Sequence, residues 1–243
     1  MSTAAQPPLQ SLPESDFGAF RQRTSMDRIH ELLEHGFPWM FFPSDMEQQF
    51  QRDGAAARAR RFLISGLISL FIYNGFLLAD YLMARDVFWL AVELRLLVFT
   101  PISLLALYSF HKGALPWLRQ APPSIVDVLA LLGGIGAAVS LAIILMLSRS
   151  PLIYFYPVGF MVVITYGNVV QRLRFWFAVV FTVVLLGTFV GGVMATPDFP
   201  ARLLWPISSM VLSVAMFTLS ANYFLERDER RRYLLTLRER GLV

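Results

Sequence analysis

Residues 175–195 read FWFAVVFTVVLLGTFVGGVMA, twenty-one residues with neither a charge nor a proline. The hydrocarbon core of a bilayer is crossed by about 20 apolar residues in an α-helix. A run this long and this apolar is therefore a transmembrane span rather than a core helix of a water-soluble domain. Working outward from it, five further segments have the same character: 62–82, 88–110, 124–147, 152–170 and 203–225. Short connectors carrying Pro116, Pro122, Pro123, Pro151, Pro197 and Pro200 separate them and leave no room for a folded domain between spans. The expected fold is all-α, a bundle of six transmembrane helices.

Composition agrees. The chain of 243 residues is 56% hydrophobic and only 16% charged, against about 25% charged residues in soluble domains. The charges gather in 1–61 and 223–243, which excludes an ordinary water-soluble enzyme. There is no cysteine, so disulfides, thiolate catalysis and cysteine metal sites are excluded. Basic residues near the span ends set the orientation. Arg52, Arg58, Arg60, Arg61, Lys112, Arg119, Arg172, Arg174 and the arginines from Arg227 to Arg240 fall on one side, but only Arg85, Arg149 and Arg202 on the other. Both termini are expected in the cytoplasm, in a bacterial inner membrane.

Four regions follow. Residues 1–24 are rich in Pro, Ser and Gln without an apolar h-region, and read as a disordered tail rather than a signal peptide. Residues 25–61 form an approach to the membrane. Here SMDRIHELLEH sets Met26, Ile29, Leu32 and Leu33 on one helical face, with Thr24 and Asp27 as a capping box and Gly36 as a stop. His30 and His35 are five apart and cannot share a metal on one face as a zinc-protease pair would. FPWMFFP (37–43) reads either as an interfacial anchor or as a packed linker. Ser44 and Glu47 match a second capping box, opening a helix expected to run to 59 and into the first span, where Arg58, Arg60 and Arg61 would meet anionic headgroups. Residues 62–225 are the six-span domain, and 226–243 a charged helix continuing the last span.

Polar residues within spans are costly and mark candidate sites. Asp80, Glu93 and Arg95 lie in the first two spans, and Asp127 opens the third. Glu93 and Arg95 diverge by about 200° on a helix, so Arg95 is expected to meet Asp80 across the hairpin. Two readings stand: an ion pair fixing hairpin register, or an outward-open pocket lined by Asp80, Glu93, Arg95, Tyr154 and Tyr156. Asn168 and Asn222 fall at similar depth, where a bond would tie the fourth span to the sixth; with Glu226 and Arg230, an i,i+4 pair, they are candidate relay residues. Gly133, Gly136, Gly187 and Gly191 belong to small-residue stripes suited to helix packing in the bundle or a dimer. Pro157 and Pro206 are expected to kink their helices.

The tracts LERDERRRYLLTLRER (225–240), YGNVVQRLRF (166–175) and RRFLISGLISLFIYNGFLL (60–78) resemble the membrane half of bacterial GGDEF-type diguanylate cyclases. The resemblance implies a sensory module, a homodimer, and a last helix passing a signal to a C-terminal cyclase domain. In that family the cyclase domain, using magnesium, condenses two GTP into cyclic di-GMP. No GGDEF occurs here, so no catalytic residue and no cofactor is carried over, and the chain as given is expected to make no cyclic di-GMP. A cyclase in cis is implied only if the chain is part of a longer protein. The bilayer is the other expected partner, nucleic acid is not, and the stimulus is unassigned. A small transporter or channel and a passive membrane anchor are the alternatives.

Overall fold

The computed structural model describes residues 27–112 and 124–241, and among these there is no strand. The tail 1–24, Met26, Arg119 and the prolines at 116, 122 and 123 lie outside the described residues. In chain order the helices are α1 (27–35), α2 (Ser44–Asp53), α3 (Ala55–Gly75), α4 (Leu77–Met83), α5 (Phe88–Val92), α6 (Thr100–Lys112), α7 (Ile125–Leu147), α8 (Val158–Thr165), α9 (Phe175–Ala195) and α10 (Ala201–Gly241). Two π-helical segments, Glu93–Phe99 and Tyr166–Val170, lie between α5 and α6 and at the end of α8. Six helices are long and apolar enough to cross a membrane: Ala55–Met83, Arg85–Phe110, Ile125–Leu147, Ile153–Val170, Phe175–Ala195 and Ala201–Arg240. They are called the first to sixth spans below.

The described residues divide into two compact units, 48–226 and the flanking segments 27–47 with 227–241. In the larger unit the third and fifth spans make the most extensive contact. Ala138, Leu141, Ile144, Leu145, Phe160, Ile164, Ala178, Phe181 and Leu185 form its buried centre. Large apolar side chains such as Phe71, Met194, Trp205 and Phe217 stand outward and almost fully exposed. That pattern suits lipid contact and would be an aggregation liability in water.

In the smaller unit Ile29 of α1 is buried and Gly36, at φ +77°, ends that helix. The aromatic run is split: Trp39 is exposed, with left-handed backbone at Trp39 and Met40, and Phe42 is buried 6.3 Å from the Tyr233 ring. Glu47 does not close a box on Ser44. Its carboxylate accepts the Phe42 N–H at 3.1 Å and pairs with Arg230 at 2.6 Å.

Several expectations need correction. The helix from Ser44 does not run unbroken to 59, because a turn at Gly54 separates α2 from α3. Pro157 caps the start of α8, where its missing N–H costs no helical bond, so it begins that helix instead of kinking it. Pro206, by contrast, lies inside α10 as expected, in its second turn, where it leaves the Arg202 carbonyl without its helical N–H. A proline not singled out above, Pro101, follows the first π segment, and the carbonyl it cannot serve is that of Leu97 within it.

Candidate functional site

The first two spans bring Asp80 and Arg95 together, fully buried. Arg95 Nε donates to Asp80 Oδ2 at 2.6 Å and Nη2 to Oδ1 at 3.2 Å, a two-pronged pair. Nη2 also reaches the Tyr156 hydroxyl at 3.0 Å, and that hydroxyl donates to Asp80 Oδ1 at 2.6 Å. Nη1 donates to the Tyr73 carbonyl at 3.1 Å, and the guanidinium lies 4.4 Å from the Tyr73 ring centre. Charge, acceptors and ring are thus matched inside the protein, which is what a bilayer demands of an internal ion pair. Tyr73 extends the cluster to the third span through Ser140, 2.6 Å away.

Local backbone places these groups. Tyr73 and Asp80 are seven residues apart and share a face of the first span, on either side of the turn at Phe76. Arg95 sits in the π segment, where its carbonyl accepts the Thr100 N–H across the wider turn; Thr100 Oγ1 donates to the same carbonyl at 2.7 Å and accepts from Asn74 at 3.0 Å. Glu93 and Tyr154 make no hydrogen bond to the cluster: Glu93 is exposed on the helix surface and Tyr154 stacks edge-on to Phe199. The outward-open five-residue pocket is not formed, since Asp80 and Arg95 are sealed from solvent.

A second polar cluster lies at the opposite end of the spans. Asn168, in the second π segment, donates to Thr182 at 3.0 Å and Thr218 at 3.1 Å. Asn222 donates to the carbonyls of Asn168 at 2.9 Å and Leu173 at 2.8 Å. The Asn168 carbonyl is available because the N–H groups that follow the π segment serve earlier residues, Gln171 bonding the Tyr166 carbonyl at 2.9 Å and Leu173 that of Gly167 at 3.4 Å. Nearby, Asp127 pairs with Arg174 at 3.2 Å and Arg58 at 3.9 Å, and Glu226 accepts the Phe175 N–H. Arg58, expected at lipid headgroups, instead turns inward to Asp127 and to the Phe50 ring. Arg230 is paired with Glu47, as above, and Asp228 forms its i,i+4 pair with Arg232 at 2.8 Å.

The packing glycines are redistributed. A side chain at Gly133, Gly187 or Gly191 would meet nothing within 4 Å, so these three serve no close helix contact among the described residues, and Gly136 faces Phe99. Close approach occurs instead at Gly134 and Gly167, whose missing side chains admit the two sides of the Phe181 ring, and at Gly66 against Leu107. Tyr73, Thr182 and Thr218 were not singled out from the sequence. Their signal was periodic: Thr218 precedes Asn222 by four residues, and Tyr73 precedes Asp80 by seven.

Between the first four spans lies a partly open cavity of about 820 Å³, lined almost wholly by apolar groups. Comparison with family models, with curated proteins and with solved structures finds no match for this chain.

Proposed function

We propose that this chain is the input module of a membrane signalling protein of the diguanylate cyclase type, set in a bacterial inner membrane with both termini in the cytoplasm. The Asn222 amide carries the reading. It holds the sixth helix to the carbonyl of Asn168, in the π segment of the fourth span, and to that of Leu173, in the connector just after it, and α10 runs on as helix to Gly241. A π segment can relax to α-helix by shifting register, so that junction has two arrangements available to it. Moving between them would turn or shift α10 and, in a homodimer, realign whatever follows its end. The cyclase assignment rests on the resemblance of the three tracts alone. Transport finds less support, since the cavity is apolar and Asp80, Arg95 and Asp127 are engaged within the protein.

The test fuses residues 1–241 to a GGDEF domain in cells lacking other cyclases and measures cyclic di-GMP. Asn222→Ala is expected to change output at least several-fold at unchanged protein level, whereas Ser220→Ala, on the exposed face, leaves it unchanged. Equal output from both would make the bundle a passive anchor.

A further inference from the structure

The cavity runs from Phe62 to Phe76 along the first span, about 21 Å at 1.5 Å per residue, and from Leu129 to Ile143 along the third. One leaflet of a bilayer's hydrocarbon core is about 15 Å deep, so the slot is long enough for one acyl chain of ordinary length. Its volume is within the range of ligand pockets. Small residues make the room: Gly133 and Gly136 lie on the third span, with Ala130 and Ala137 beside them. Because a side chain at Gly133 would touch nothing, the space it faces is open.

Electrically the slot is quiet. The Arg95 charge at one end is matched by Asp80, so an ion or polar solute finds no uncompensated partner there. At the other end Gln171 accepts from Ser65 and Tyr166 through its carboxamide oxygen, which leaves its amide N–H groups as donors. A carbonyl of a fatty acid or of a lipid ester suits them.

We propose that this cavity binds a single unbranched fatty-acyl chain drawn from the bilayer, with its carbonyl end at Gln171. Phe181 lines the same cavity and is flanked by Gly134 and Gly167, next to Asn168, so a chain in the slot presses on the residues that hold the sixth helix. As a stimulus, this occupancy rests on the sensory reading; as binding, it stands without it.

The test uses the whole chain in nanodiscs, photolabelled with palmitic acid carrying a diazirine near its methyl end, and in parallel with a phosphatidylcholine carrying the same chain. Labels are expected on residues of the slot far from Gln171, such as Ile72, Val98 and Val139, and are displaced by unlabelled palmitate. Gly133→Phe fills the space and is expected to reduce slot labelling about tenfold, since several methylenes lose their burial. Gly187→Phe, on an open outer face, leaves it unchanged and controls for folding. Labelling by both probes identifies membrane lipid as the source, and labelling by the acid alone a free fatty acid. Labels spread over Phe71 and Trp205 with no effect of Gly133→Phe would overturn the site. So would displacement by an isoprenoid quinone as effective as that by palmitate. The cysteine-free chain also allows nitroxides at Ser109→Cys and Ser220→Cys. Specific labelling without any palmitate-dependent change in their distance would retain the site and remove the sensory reading.

Discussion

Replacing Arg95 by Met strands the Asp80 carboxylate in a buried, lipid-surrounded position. The expected loss is about 3–5 kcal/mol, because an uncompensated buried charge costs far more than the pair contributes. Exchanging both partners, Asp80→Leu with Arg95→Met, is expected to recover most of that loss, and unfolding in detergent by a double-mutant cycle measures the difference. The glycines make a second comparison. Gly134→Ala or Gly167→Ala forces a methyl against the Phe181 ring and is expected to cost about 1–3 kcal/mol. Gly187→Ala meets open space and is expected to be neutral or to raise stability by about 0.5–1 kcal/mol, from the smaller entropy loss on folding. The polar residues of this site were legible as expensive groups in apolar runs. Which glycine touches which ring was not, since that depends on how neighbouring helices are rotated, and a four-residue repeat is silent about rotation.

The elements differ most from expectation where α-helix gives way to π. Hydropathy located the second to fifth spans to within three residues at each end, because burial in hydrocarbon is a property of whole segments, whereas the first begins earlier and the sixth runs on as polar helix. It could not show that the second and fourth spans each widen by a turn, because the cause is local: Pro101 withholds an N–H in one, and the left-handed Arg172 ends the other. Thr100→Val removes the hydroxyl that serves the Arg95 carbonyl. It is expected to cost about 1 kcal/mol in unfolding measurements, and to free Asn74, so that Asn74→Leu adds little further loss in the double variant. At the end of the fourth span, Asn222→Ala leaves two buried carbonyls without a donor. A comparable loss of about 1–2 kcal/mol is expected, read by the same unfolding assay as a separate effect from any change in signalling output.

For the molecule as a whole, orientation is the property the basic residues foretell and an experiment can decide. Single cysteines in the cysteine-free chain at Asp198 and at Arg238 are expected to react with a membrane-impermeant maleimide from opposite sides: Asp198→Cys in intact cells, Arg238→Cys only after lysis. The reverse pattern would invert the topology. The six-span count was legible because it needs only composition; the site was legible in part, because Asp80 and Arg95 announce each other by charge and Tyr156 is a candidate beside them, while Tyr73 looks like any lipid-facing aromatic. The buried pair also bears on how the protein is made. A charged residue near the centre of a span costs a translocon-inserted helix about 2.5–3.5 kcal/mol, and the second span carries both Glu93 and Arg95. Asp80 leaves the ribosome first, so the two spans are suited to enter the bilayer as a hairpin, with Tyr156 closing the cluster only when the fourth span arrives. In a glycosylation-mapped insertion assay, residues 85–112 alone are expected to insert poorly and residues 55–112 well, with Asp80→Leu abolishing the gain. The ion pair would then act during synthesis as a pass for an otherwise reluctant helix, before any tertiary core exists.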